Sequence, residues 1–167
     1  MKGQKLLELL KVMMKNSRLS DREIGRRLKY SQPTVTRSRT FLEKQGFVKS
    51  YTVVPNFGKV GYKILAFTFS SLKSYPSQEK AAEIVQKSKK WLKKHPNVIY
   101  AADGQGLGGR DVVMVSFHKD YDDYTKFMHD YAFNWGDIVS SFESFITNLT
   151  SELVMREFDL SHLADHI

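Results

Sequence analysis

Residues 31–48, SQPTVTRSRTFLEKQGFV, decide how the rest of the chain is read. Ser31 is a residue type that caps a helix, Pro33 falls in the first turn where a missing N–H costs nothing, and Gly46 is placed to be the left-handed residue that ends one. Val35, Phe41 and Leu42 are expected to face inward. The first turns also carry Gln32, Thr34, Thr36, Arg37 and Arg39, which a helix built only to pack does not need. Short hydroxyls, an amide and guanidiniums at a helix start are the groups that suit the floor and phosphate walls of a DNA groove.

The preceding residues give that helix a context. Residues 4–14 place Leu6, Leu7, Leu9, Leu10 and Met13 at amphipathic helical spacing, with Val12 and Met14 filling in, and Asn16-Ser17 ends the run. Ser20-Asp21-Arg22-Glu23 reads as a capping box that opens a short helix with Ile24, Gly25 and Leu28 inward. Lys29-Tyr30 makes the tight turn into the helix at Ser31. Two helices so joined form a helix-turn-helix, whose second helix enters the major groove by its N-terminal part. The expected DNA contacts are Lys29, Tyr30, Ser31, Gln32, Thr34, Thr36, Arg37, Arg39 and Lys49, with Arg26 and Arg27 on the backbone. Arg37 and Arg39 lie two residues apart, about 200° around a helix, so one is expected to read a base edge and the other to grip phosphate. Residues 47–54, rich in β-branched and aromatic side chains, are expected to form a strand or small wing.

Charge supports the same division. Residues 1–60 hold 14 Lys and Arg against 4 Asp and Glu, whereas residues 61–167 hold 12 against 14, so the whole basic excess of the +8 chain sits in its first third. A concentrated positive module joined to a near-neutral one is what polyanion binding requires. At 41% hydrophobic and 13% aromatic, the 167-residue chain can bury a core. Zero cysteines exclude disulfides, thiolate zinc sites and a cysteine nucleophile. No run is long and apolar enough for a membrane span, and lysines interrupt the N-terminal residues too often for a signal peptide, so a cytoplasmic location is expected.

After a linker at residues 58–61, the pattern becomes strand, helix, strand, strand, helix, strand: 63–71, 77–95, 98–102, 112–117, 121–131 and 138–154. Two split β-α-β units predict a ferredoxin-like sheet with both helices on one face. The expected fold class is α+β, a winged helix-turn-helix over 1–57 and a ferredoxin-like βαββαβ dimerisation and effector domain over 62–167.

The residues 18–51, RLSDREIGRRLKYSQPTVTRSRTFLEKQGFVKSY, together with the leading KLLELL and the Gly61-Tyr62 step into KILAFTF, resemble the prokaryotic Lrp/AsnC, or feast/famine, transcription regulators. S-x-x-E-I-x-x-x-L, S-x-x-T-V-x-R and F-L-E-x-x-G-F-V carry the likeness up to about Ser70, and the topology carries it afterwards. The resemblance implies a DNA-binding half and a RAM-type effector domain that builds dimers and higher assemblies and often binds an amino acid. It implies, too, a short Gly-x-x-Asp hairpin between the second and third strands near that amino-acid site. Gly104 and Asp111 match its ends, but six residues intervene here in place of two. Arg110 and Asp111 would then pair with the carboxylate and ammonium of an amino acid, or with each other or a neighbouring subunit.

The same loop, DGQGLGGRD at 103–111, spells a dinucleotide fingerprint at Gly104, Gly106 and Gly109. VVMVSF follows, a strand and not the helix whose N-terminus would hold a pyrophosphate, so no nucleotide cofactor is expected. The lysine-rich KSKKWLKKH at 87–95 reads as a solvated helix face, with DNA contact as the alternative. His162 and His166 stand four apart with no third ligand placed, so no metal is expected, and no catalytic constellation is recognisable. The expected function is that of a non-enzymatic, sequence-specific regulator of transcription that binds double-stranded DNA as a homodimer or higher homo-oligomer. The alternative is an architectural, chromatin-like DNA binder with little sequence preference.

Overall fold

The computed structural model describes residues 2–74, 76–106 and 108–167, with the backbone alone for Lys2; Leu107 of the glycine-rich loop lies outside the described residues. Two compact units are present. The first comprises Met1–Val54 and Arg156–Ile167, the second Pro55–Met155.

In the first unit, α1 (Lys2–Lys15), α2 (Asp21–Leu28) and α3 (Gln32–Lys44) enclose Leu9, Met13, Ile24, Val35 and Leu42, ringed by Leu6, Leu10, Leu19, Leu28, Tyr30 and Val48. Each fully buried aliphatic side chain there stabilises the unit by about 1.5–3 kcal/mol. The capping box at the start of α2 is formed: the Ser20 hydroxyl accepts from the Glu23 amide at 3.3 Å, and the Ser20 amide donates to Glu23 Oε2 at 2.7 Å. Those bonds hold the Glu23 carboxyl below its ordinary range. The turn between α2 and α3 depends on two unusual backbone positions. Lys29 adopts φ 56°, and the Tyr30 amide donates to the Gly25 carbonyl at 2.9 Å. A Cβ on Gly25 would stand 2.6 Å from the Tyr30 carbonyl oxygen, so only glycine lets the turn close this tightly. Gly46, φ 74°, ends α3 as expected: the Phe47 amide reaches the Leu42 carbonyl and the Gly46 amide the Glu43 carbonyl, the paired bonds of a Schellman motif.

Several expectations are corrected. Phe41 is 45% exposed, because six residues from Val35 turns a side chain well away from the buried face, whereas Leu42 at seven returns to it. Residues 47–54 form no strand; without a partner strand there is no ladder, and the segment is fastened to α3 by the Tyr51 hydroxyl donating to Glu43 Oε1 at 2.6 Å. Ser31 holds the N-cap position of α3 but caps nothing with its side chain, which instead pairs with the Thr34 hydroxyl at 2.8 Å.

The second unit is a four-stranded antiparallel sheet in the order β2-β3-β1-β4, built from β1 (Ile64–Leu72), β2 (Val98–Asp103), β3 (Val112–His118) and β4 (Val139–Asn148). On one face lie α4 (Gln78–Leu92) and α5 (Tyr121–Trp135), which bury Trp91, Met114, Phe127, Met128, Tyr131, Trp135 and Val139. This is the ferredoxin-like arrangement. The residues assigned as a linker, 58–61, are part of a folded turn in which the Tyr62 amide meets the Phe57 carbonyl, and Phe57 stacks on Phe117 at 4.4 Å. β4 stops at Asn148, opposite the first residue of β1, and the Asn148 side chain accepts from the Thr150 amide in a turn where continued strand was expected.

Residues 156–167, expected to end the ferredoxin-like domain, belong to the first unit instead. The 3₁₀ turn Ser161–Asp165 packs against α1 with Ala164 fully buried, and Lys15 pairs with Asp165. The apolar residues of α1 beyond a single stripe, Leu7 and Met14, lie on the side of that helix away from Leu9 and Val12.

Candidate nucleic-acid interface

α3 divides its side chains between two tasks. Asp21, the first residue of α2, accepts from Arg39 Nε at 2.8 Å through one carboxylate oxygen and from the Thr36 hydroxyl at 2.7 Å through the other. Arg39 Nη2 donates to the Leu19 carbonyl at 3.1 Å, and the Arg39 and Asp21 side chains are only 18% and 20% exposed. The pair is therefore a brace between the two helices. Arg39 and Thr36, both expected on DNA, are occupied within the protein.

Tyr30 is occupied as well. Its hydroxyl donates to Glu8 on α1, a bond that raises its pKa and keeps it protonated, and Lys5 Nζ stands 5.2 Å from its ring centroid. Besides Thr36 and Glu43, which are bonded to Asp21 and Tyr51, the exposed residues of α3 are Gln32, Pro33, Arg37, Thr40, Phe41 and Lys44. The Arg37 Nε donates to the Pro33 carbonyl at 3.2 Å, which steadies the stem and leaves the two terminal nitrogens without a protein partner among the described residues. Thr40 and Lys44 share the outward face of Arg37. Their spacing of three and seven from Arg37 corresponds to one face of a helix.

Around this face, Arg26, Arg27, Lys29 and Lys49 are exposed, and the ion pairs of the first unit among the described residues are Lys15–Asp165 and Arg39–Asp21 alone. A concentrated, uncompensated positive surface on a braced helix can hold a phosphate backbone while short side chains reach base edges.

The glycine-rich loop is a hairpin connection. The Gly104 amide donates to the Asp111 carbonyl at 2.9 Å and closes the hairpin between β2 and β3, with Gly106, Gly108 and Gly109 all at positive φ. Arg110 Nη1 reaches Ser141 Oγ at 2.9 Å and Ser71 Oγ at 3.2 Å, and Nη2 pairs with Glu143. Asp111 Oδ2 accepts from the Leu72 amide at 2.8 Å. Both charges are thus engaged at the ends of β1 and β4. A strand follows the loop, as the rejection of a dinucleotide site requires. Among the described residues no group of three or more His, Asp and Glu is placed to hold a metal.

The profile of the winged helix-turn-helix DNA-binding family matches residues 4–49. LrpC of Bacillus subtilis, an HTH-type transcriptional regulator, is 35% identical over 68 residues, 41% of this chain and 47% of LrpC, so the chain spans about half the length of that curated relative. Its solved structure superposes with a TM-score of 0.67 at 20% identity over 90% of this chain and 96% of that one. E. coli AsnC superposes at 0.71 with 17% identity, covering 93% of this chain and 96% of AsnC. A transcriptional regulator of Neisseria meningitidis in complex with L-Met gives 0.76 at 20% identity, over 95% and 94%. Over residues 4–49 the chain is similar in sequence to winged helix-turn-helix DNA-binding proteins, and in fold it is similar throughout to the LrpC and AsnC structures.

Proposed function

We propose that the protein is a sequence-specific, double-stranded DNA-binding regulator of transcription that works as a homodimer or higher homo-oligomer. The observation that carries this reading is the division on α3: Arg39 and Thr36 hold the helix through Asp21, and Arg37 stands outward with Thr40 and Lys44 on the same face. In the groove, the Arg37 guanidinium takes guanine O6 and N7 together, while Lys29, Lys49, Arg26 and Arg27 meet phosphates. The Ser31 hydroxyl and the Gln32 amide at the start of α3 add phosphate donors.

Homodimerisation is supported by the sheet face that α4 and α5 leave open. Phe67, Phe69, Val113, Val115 and Phe145 alternate onto it, with Phe67 opposite both Val115 and Phe145, and Phe145 is 67% exposed. A second copy laid on this face removes an apolar patch that a monomer leaves in water, and it joins two helix-turn-helix units in one molecule. Sedimentation of Phe145→Glu as monomer, against a wild-type dimer, tests this. The L-Met complex of the Neisseria relative supports an amino acid as the class of effector to screen by thermal shift. The reading assigns no catalytic step and places the protein in the cytoplasm.

Selection of bound sequences from random duplex DNA, with binding repeated over a salt series, decides the main claim. An enriched inverted repeat with half-sites about one helical turn apart is expected. A flat pool with steep salt dependence would replace it with architectural, sequence-indifferent binding.

A further inference from the structure

From the C-terminal half of α4 we infer a second DNA-backbone contact, in the ferredoxin-like unit and separate from the helix-turn-helix. Residues 87–94 hold five lysines and no acid. Lys87 is used internally, donating to the Asn134 carbonyl at 2.7 Å with its Nζ 4.7 Å from the Trp135 ring centroid. Lys89, Lys90, Lys93 and Lys94 are all exposed, and none has a carboxylate within salt-bridge distance among the described residues. Asp130, which α5 brings to this end of α4, is taken by Trp91 Nε1 at 2.8 Å and His95 Nε2 at 3.1 Å.

The arrangement is more than a solvated helix face. Such faces mix the two signs, as the first half of α4 does with Glu79, Lys80 and Glu83. Here Lys89 and Lys90 in the last turn of α4 are followed by Lys93, its C-cap, and Lys94 in the turn beyond, so four like charges fall within six residues with no acid among them. The helix dipole favours cations in the last turn but does not call for four of them there and just past it. An exposed cluster of four ammonium groups without carboxylate partners among the described residues fits the extended charge of a nucleic-acid backbone. Duplex DNA lying beyond the site held by α3 is the occupant, and this assignment rests on the DNA-binding reading of the first unit.

The test uses the full chain and a variant with Lys89, Lys90, Lys93 and Lys94 all changed to Gln, its folding checked by circular dichroism melting. Each is bound to the selected site trimmed to its minimum, and to the same site extended by roughly 21 base pairs, two helical turns, on each side. Wild type and variant are expected to bind the short duplex alike. On the long duplex the variant should lose about tenfold or more in affinity at low salt, and its slope of log affinity against log salt should fall by up to about 3.6. The four Lys→Arg changes should restore both. Equal affinity and equal slope for wild type and variant on the long duplex would overturn the inference. The short-duplex arm reports on the helix-turn-helix independently, and the long-duplex comparison stands whatever it shows.

Discussion

Arg37→Ala and Arg39→Ala should have opposite consequences, although the two residues are near neighbours of one type on one helix. Arg39→Ala removes the bond to Asp21 at 2.8 Å and the bond to the Leu19 carbonyl at 3.1 Å. With the two side chains 18% and 20% exposed, most of the charge-assisted bond is realised, about 1.5–3 kcal/mol, and the carbonyl bond adds about 1 kcal/mol. The helix-turn-helix is therefore expected to lose about 2–4 kcal/mol, which for so small a unit lowers its melting temperature by about 10 °C or more. At a temperature where the variant stays folded, its affinity for the selected site should be close to wild type. Arg37→Ala removes one bond at the surface, so stability should stay within about 0.5 kcal/mol, while specific binding loses about 1–3 kcal/mol, or roughly 5- to 150-fold, and binding to random duplex loses less. Denaturant unfolding and gel shift over a salt series measure both quantities. Unchanged stability in Arg39→Ala together with a large loss of specific affinity would refute the brace and return Arg39 to the groove.

Three further outcomes are expected. Gly25→Ala sets a Cβ 2.6 Å from the Tyr30 carbonyl oxygen, so the turn must open, at about 1–3 kcal/mol of stability and with reduced DNA affinity; a variant as stable and as active as wild type would show the turn to be adaptable. His118 is fully buried, its Nδ1 has no hydrogen bond and lies 3.9 Å from Asp123 Oδ2, and burial lowers its pKa despite that carboxylate. The unfolded chain thus takes up this proton first, so stability should fall as pH drops below about 6.5, with a limiting slope of about 1.4 kcal/mol per pH unit; His118→Leu should flatten the curve there, and an unchanged slope would contradict the assignment. Ala164→Glu puts a carboxylate at a site with no exposed surface beside α1, so amide exchange in α1 should accelerate; exchange at the wild-type rate would mean that residues 156–167 contribute no protection.

Local rules made the helix-turn-helix legible. The capping box at Ser20, the proline in the first turn of α3 and the glycine after it act within four or five residues, so spacing alone places the helix ends. Strand alternation and the order of elements were enough to name the ferredoxin-like class, although only β2 and β3 pair as neighbours in sequence and β1 is set between β3 and β4 by long-range pairing. The basic excess in the first third was equally plain, since charge is additive along the chain.

Which charges remain available was settled only in three dimensions. Arg37 and Arg39 are indistinguishable as residue types, and what separates them is Asp21, 18 positions before Arg39, brought against it by the crossing of α2 and α3. Tyr30 is withdrawn in the same way by Glu8, and Arg110 by Glu143 and two serines. The 3₁₀ turn against α1 left no periodic trace, because five residues are too few to show one. Residues 47–54 have strand composition but no ladder, because a strand exists only through its partner. Composition, caps and periodicity placed the starts of the five α-helices and four strands and the positive charge of the first unit; long-range pairing decided which of those charged side chains are left unpaired within the protein.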